Sequence, residues 1–208
     1  MKTIKVETFE KIFAYMALVP EKLSDKPALL IQLHGMGERG IGTDVDIVLK
    51  HGFPQTVNDD NLKDCILVMP QCPIDTIWQD ETEKIKQFTE LMIKEFSADA
   101  DRIYLCGLSM GGYGTWHTAT KYPELYAAIA PCCGGGDPQK ASSLTMPIWA
   151  FHGMLDGCVL PNNTTDMLEV LKDINPNLKY TLYEDIGHSS WVPAFTEPTL
   201  EWLLAQKK

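Results

Sequence analysis

The sequence has no run of basic residues, no internal repeat, no low-complexity tract and no visible interdomain linker. Eighteen Lys and Arg stand against 28 Asp and Glu, a formal net charge of −10. That balance would repel the phosphates of a nucleic acid or an anionic membrane, so neither is expected as a partner. The apolar stretch Ile12 to Val19 is too short to cross a bilayer. Glu7 and Glu10 precede it, and Pro20-Glu21-Lys22 follows where a signal peptide would need small residues for cleavage. It reads as a first strand over 11–19, and the expected compartment is the cytoplasm, with a trimmed secreted form left open. Six cysteines are present, none in Cys-x-x-Cys spacing and two adjacent at Cys132-Cys133. Free buried thiols, as at Cys65 and Cys106, fit this better than a disulfide framework or a zinc site. Between the strand ending near Cys132 and the strand starting near Pro147 there is only a short Gly- and Ser-rich connection. No helical lid fits there, which disfavours interfacial lipase action.

What is present is an ordinary globular composition, 45% hydrophobic and 22% charged, over a length that suits one domain, 1–208. Strand-like runs fall near 11–19, 28–34, 65–69, 102–107, 127–132, 147–152 and 179–184. Between them, Ile85, Phe88, Leu91, Met92 and Phe96 repeat at helical spacing in Thr82 to Phe96. Asn162 to Ile174 carries a stripe of Met167, Leu168, Leu171 and Ile174, and Glu197 to Leu204 closes the chain with Leu200, Leu203 and Leu204. Alternating strands and helices, with strands apolar throughout, predict an α/β fold: a mainly parallel twisted sheet with helices on both faces.

The segment richest in chemistry is Gly107-Leu108-Ser109-Met110-Gly111-Gly112. It follows the apolar run Arg102 to Cys106 and opens onto a helical Tyr113 to Ala119. A serine at so sharp a strand-to-helix turn needs glycine at its flanks, and the helix start points amide N–H groups at any anion formed there. A capping serine in an unrelated glycine-rich turn is the plain alternative. A serine hydroxyl alone is a poor nucleophile, so a base and an orienting acid are required. Downstream, the run Pro147 to Gly153 ends in a turn bearing Asp156, and Tyr180 to Tyr183 leads to a loop bearing His188. The order Ser, Asp, His, each just beyond a strand's carboxyl end, is that of the α/β-hydrolase triad.

Other candidates are weaker. His34, in Leu33-His34-Gly35-Met36-Gly37, reads as a scaffold for an oxyanion loop, and His152 as a satisfied structural histidine. His117 falls two turns along the helix after Ser109 and points away from it. His51 falls near a helix end, Asp185 is too close in sequence to His188, and Asp137 follows a glycine run as a turn residue. Asp156 and His188 are the partners chosen for Ser109.

These segments, with Leu33 to Gly40, Phe151-His152-Gly153 and Gly187-His188-Ser189-Ser190-Trp191, resemble the α/β-hydrolase superfamily. Within it the chain looks like the phospholipase/carboxylesterase and polyhydroxybutyrate-depolymerase-like branch, which includes feruloyl and acetyl esterases and predicted peptidases. The resemblance runs from about residue 11 to the end. It implies Ser109 as nucleophile, His188 as base, Asp156 as orienting acid, and the backbone N–H groups of Met36 and Met110 as oxyanion hole. The acid loop departs from the branch's usual Asp-x-x-Val-Pro: Leu160 intervenes between Val159 and Pro161 without displacing Asp156. The expected activity is carboxylic-ester hydrolysis through an acyl-enzyme, on a small-molecule ester with a short-chain or aromatic acyl group, without cofactor or metal. A peptidase or amidase of the same fold, and a non-catalytic binding protein of that fold, are the rival readings. For the substrate pocket, Trp78 and Trp191 are candidates, Trp191 reading equally as a core aromatic and Trp116 more readily as one. Glu38 and Arg39 either pair as ions, the favoured reading, or grip a polar substrate end.

Overall fold

The apolar runs pair side by side in one eight-stranded sheet, in a computed structural model that describes residues 1–8 and 12–208. The strands are β1 (Lys2–Val6), β2 (Tyr15–Val19), β3 (Ala28–Leu33), β4 (Cys65–Pro70), β5 (Ile103–Leu108), β6 (Ala128–Cys132), β7 (Ile148–Gly153) and β8 (Leu178–Tyr183). Their spatial order is β1-β2-β4-β3-β5-β6-β7-β8. β1 and β2 pair antiparallel, as do β2 and β4, and every pairing from β4 through β3 to β8 is parallel. The mainly parallel sheet expected from continuous apolar strands is therefore found.

Side chains alternate between the two faces of each strand, and in the central strands β3 to β6 both faces are buried. In β3, Leu29, Ile31 and Leu33 join one core layer while Ala28 and Leu30 join the other. The helices are α1 (Asp59–Leu62), α2 (Thr82–Glu95), α3 (Met110–Lys121), α4 (Asn162–Ile174), α5 (Trp191–Ala194) and α6 (Glu197–Leu204). α2, α3 and α4 cover the first layer: Ile85, Phe88 and Met92 of α2, Trp116 of α3, and Met167 and Leu171 of α4 have no exposed surface. Each such side chain stabilises the fold by roughly 1.5–3 kcal/mol through removal from water. α6 covers the opposite layer with Leu200 and Leu203, beside the stacked rings of Phe53 and Phe195.

Two strand expectations need correction. The first apolar run is a strand only over Tyr15–Val19, and residue 11 of the expected 11–19 lies outside the described residues. The edge strand Lys2–Val6 has no counterpart in the sequence reading. Two of its five residues are lysines, and only Ile4 and Val6 pack on the core. Charge of that kind is usual on a sheet edge and erases the hydrophobic signal. The connection between β6 and β7 forms a short 3-10 helix, Pro138–Ser143, capped by the Asp137 side chain.

The strand order places the site. β4 lies on one side of β3 and β5 on the other, so the chain reverses its winding direction between β3 and β5. The loops leaving the carboxyl ends of these neighbours diverge and open a crevice there. The β3 loop carries Gly35 and Met36; the β5 turn carries Ser109.

Candidate active site

Ser109 occupies the turn between β5 and α3 with φ 54° and ψ −118°, a left-handed backbone that a residue with a Cβ adopts only under constraint. Packing supplies the constraint. A Cβ on Gly107 would lie 2.2 Å from the Gly111 carbonyl oxygen, and one on Gly111 would lie 2.0 Å from the Leu33 carbonyl oxygen. Helix α3 is thereby pressed against β3, with Ser109 raised at the rim. The Ser109 N–H donates to the Cys132 carbonyl at 3.0 Å and lies 3.3 Å from Cys133 Sγ.

Two loops on the β7–β8 side converge on this serine. His188 Nε2 is 3.0 Å from Ser109 Oγ, and His188 Nδ1 is 2.7 Å from Asp156 Oδ2. The other carboxylate oxygen, Oδ1, accepts the N–H groups of Cys158 at 2.8 Å and Val159 at 2.9 Å. Burial opposes ionisation of Asp156, but the bond from His188 and these two amides outweigh it and hold its pKa below the ordinary value. The carboxylate thus fixes a proton on Nδ1 and leaves Nε2 to accept from the serine hydroxyl. His152 also approaches Asp156 Oδ2, at 3.3 Å. Its ring is buried, with Nδ1 2.7 Å from Thr164 Oγ1 and Nε2 2.9 Å from the Val159 carbonyl, and burial lowers its pKa. It braces the acid loop and does not reach Ser109.

The loop after β3 rests on His34. His34 Nε2 accepts the Cys72 N–H at 2.9 Å, leaving Nδ1–H to face the Gly35 carbonyl at 2.6 Å. Burial pushes its pKa down to about 4, so the ring is neutral near pH 7. Met36 opens a short 3-10 turn, Met36–Glu38, and Met110 is the first residue of α3. Neither backbone N–H has a hydrogen-bond partner among the described residues. Met36, Met110, Ser109 and His188 line a cavity of about 340 Å³. Its remaining wall is Ile77, Gln79, Tyr113, Cys158 and Val159. None of these five was singled out from the sequence, although Tyr113, one turn into α3 from Ser109, could have been placed there by helical spacing.

Several expectations are corrected. Trp78 is fully buried outside the cavity, edge-on to Phe13 and His34, and its indole N–H donates to the His34 carbonyl at 3.0 Å. Its role is to hold up the β3 loop. Trp191 packs edge-on against His188 with ring centroids 5.3 Å apart and contacts His51 on its other side, so it touches the imidazole without lining the cavity. Glu38 and Arg39 form no ion pair with each other. The Glu38 carboxylate is buried 3.7 Å from His51 Nε2, while Arg39 donates to the carbonyls of Met36 and Thr76, both at 3.2 Å. Adjacent residues on a tight turn point apart, which separates these two charges. Five cysteines are buried, but Cys158 is exposed, at the mouth of the cavity. His117 and Asp185 lie away from the cavity, and no described helix is long and apolar enough to cross a membrane.

Residues 68–198 match the dienelactone hydrolase family. A bifunctional acetylxylan esterase/xylanase of Neocallimastix patriciarum is 30% identical over 138 residues, 64% of this chain and 19% of that protein. Feruloyl esterase B of Neurospora crassa is 32% identical over 125 residues, 56% of this chain and 42% of its own length. A solved thermostable esterase superposes over the whole chain and 63% of its own, with a TM-score of 0.82 and 29% identity. The chain spans less than two thirds of each.

Proposed function

The chain belongs to the dienelactone hydrolase family, within the α/β-hydrolase superfamily, and from that membership we propose that it is a serine carboxylesterase. The observation that carries this reading is the unbroken line of hydrogen bonds from Asp156 through His188 to Ser109, beside two backbone N–H groups with no partner among the described residues. His188 takes the hydroxyl proton as Ser109 Oγ attacks the ester carbonyl, and Asp156 stabilises the resulting imidazolium. The N–H groups of Met36 and Met110 receive the charge that develops on the carbonyl oxygen. Loss of one such donor typically costs about 3–4 kcal/mol of barrier. The alcohol departs with the proton from His188, leaving an acyl-Ser109 ester. Water then repeats the sequence and frees the acid.

The cavity beside Ser109 takes its apolar wall from Met36, Ile77, Tyr113 and Val159, which suits a short-chain or aromatic acyl group better than a charged one. The acetylxylan and feruloyl esterases among the relatives carry acyl groups of those two kinds in their names. A panel of p-nitrophenyl esters graded from acetate upward, with a feruloyl ester and a matched amide, tests the reading. Ser109→Ala should abolish turnover and labelling by a fluorophosphonate while leaving the unfolding transition in place. Hydrolysis retained by Ser109→Ala would end the proposal.

A further inference from the structure

Behind the nucleophile lies a group of metal-ligating atoms that ester hydrolysis does not use as such. Cys133 Sγ, a carboxylate oxygen of Asp156 and a ring nitrogen of His188 all lie within 4.8 Å of one another. The thiol is held in place by its backbone. Cys133 has φ 41°, a left-handed conformation that costs a residue with a Cβ roughly 1–2 kcal/mol. Its N–H donates to the Phe151 carbonyl at 2.9 Å, and its sulfur faces the Ser109 N–H at 3.3 Å. A neighbouring thiol, Cys132, lies 3.4 Å from Ser190 Oγ on the loop that carries His188. Cys132 is not among the converging atoms and is not a proposed ligand.

We propose that Cys133, Asp156 and His188 form a binding site for a thiophilic divalent cation, cadmium or zinc, whose occupation silences the ester hydrolysis. A thiolate, an imidazole and a carboxylate suit such ions, and a water completes four-coordination. Metal–ligand bonds of about 2.0–2.3 Å put tetrahedral ligands about 3.5 Å apart, so three atoms that lie within 4.8 Å of one another need only a small rearrangement. Side-chain rotation of His188, the one ligand that is not buried, can supply that movement. On binding, the Cys133 thiol releases its proton to solvent. Sulfur, nitrogen and oxygen each donate an electron pair to the cation, and no oxidation state changes. Hydrolysis by the proposed relay engages both nitrogens of His188, one toward Asp156 and one toward Ser109. A cation on either nitrogen breaks that relay. Entry is through the catalytic cavity past His188, since Cys133 itself has no exposed surface.

The test titrates cadmium into a Cys158→Ser variant, which removes the exposed thiol, while following thiolate-to-cadmium absorption and p-nitrophenyl acetate hydrolysis. The expected result is a band that saturates near one cadmium per chain, loss of hydrolysis with the same midpoint, and recovery on adding a chelator. Adding Cys133→Ala should remove the band and weaken inhibition roughly tenfold or more. Cys133→Ser, which keeps a hydrogen-bond acceptor for the Ser109 N–H, guards against a folding failure and should behave alike. The activity arm rests on the proposed esterase function, whereas the absorption arm does not, so an inactive protein would still report the site. Absence of a saturable band, a band that survives both Cys133 variants, or inhibition without a band would overturn the proposal.

Discussion

Exchanging the Asp156 carboxylate for an amide separates orientation of the base from the shape of its loop. In Asp156→Asn the Oδ1 atom can still accept the Cys158 and Val159 amides, now bonded at 2.8 and 2.9 Å, so the acid loop should stand. The new Nδ2 group faces His188 Nδ1, which lies 2.7 Å from Oδ2 in the present structure, and sets donor against donor. The ring relieves this by moving its proton to Nε2, where it confronts the Ser109 hydroxyl as a donor. A triad carboxylate replaced by its amide costs about 10⁴ in kcat, equivalent to about 5.5 kcal/mol of barrier. The effect on stability should be much smaller. One charge-assisted hydrogen bond is worth roughly 1.5–3 kcal/mol, which for a chain of this length shifts the unfolding midpoint by about 3–12 °C. Initial rates on p-nitrophenyl acetate and a thermal melt measure both quantities on one sample. A folded Asp156→Asn protein with kcat within about tenfold of wild type would refute the assigned role. A collapse of the fold without the expected split would show that Asp156 serves the structure first.

Trp78→Phe leaves the buried His34 carbonyl without its donor and should cost roughly 1–3 kcal/mol in denaturant unfolding; an unchanged unfolding midpoint would contradict this. Gly111→Ala drives a Cβ to 2.0 Å from the Leu33 carbonyl oxygen, backbone against backbone, and should abolish soluble expression or unfold at much lower denaturant. Cys158 alone among the thiols is exposed, so a maleimide should modify it first and obstruct the cavity, and Cys158→Ser should resist that inhibition. His34, with its pKa pushed down to about 4 by burial, should show a neutral ring by NMR at pH 5. The unfolded chain takes up that proton between about pH 6.5 and 4, so this group's contribution to stability is complete above about 6.5 and lost as pH falls toward 4. A His34 resonance titrating near pH 6.5 would be the contrary result.

The apolar strands were legible because a parallel sheet covered on both faces demands continuous hydrophobic runs, as in β3, β4 and β5. Helices α4 and α6 were readable to the residue, since their stripes repeat at helical spacing between clear breaks. β1 was not, because an edge strand exposed to water is free to be charged. Cavity residues such as Ile77, Gln79 and Val159 carried no local signal, because a loop residue's direction depends on what the loop packs against. Trp78 shows the same limit: its place in the sequence made it a pocket candidate, yet its indole is buried outside the cavity and donates to the His34 carbonyl.

By itself the sequence determined the layered fold and named Ser109, Asp156 and His188 as residues whose chemistry belongs together. Both follow from local rules, periodicity for the elements and residue type at strand ends for the candidates. Only the tertiary structure decided that these three side chains stand 3.0 and 2.7 Å apart, that Cys133 sits among them, and that Glu38 faces His51 and not Arg39. Those relations join residues distant in the chain, and they are set by strand order and side-chain packing, which no short segment encodes.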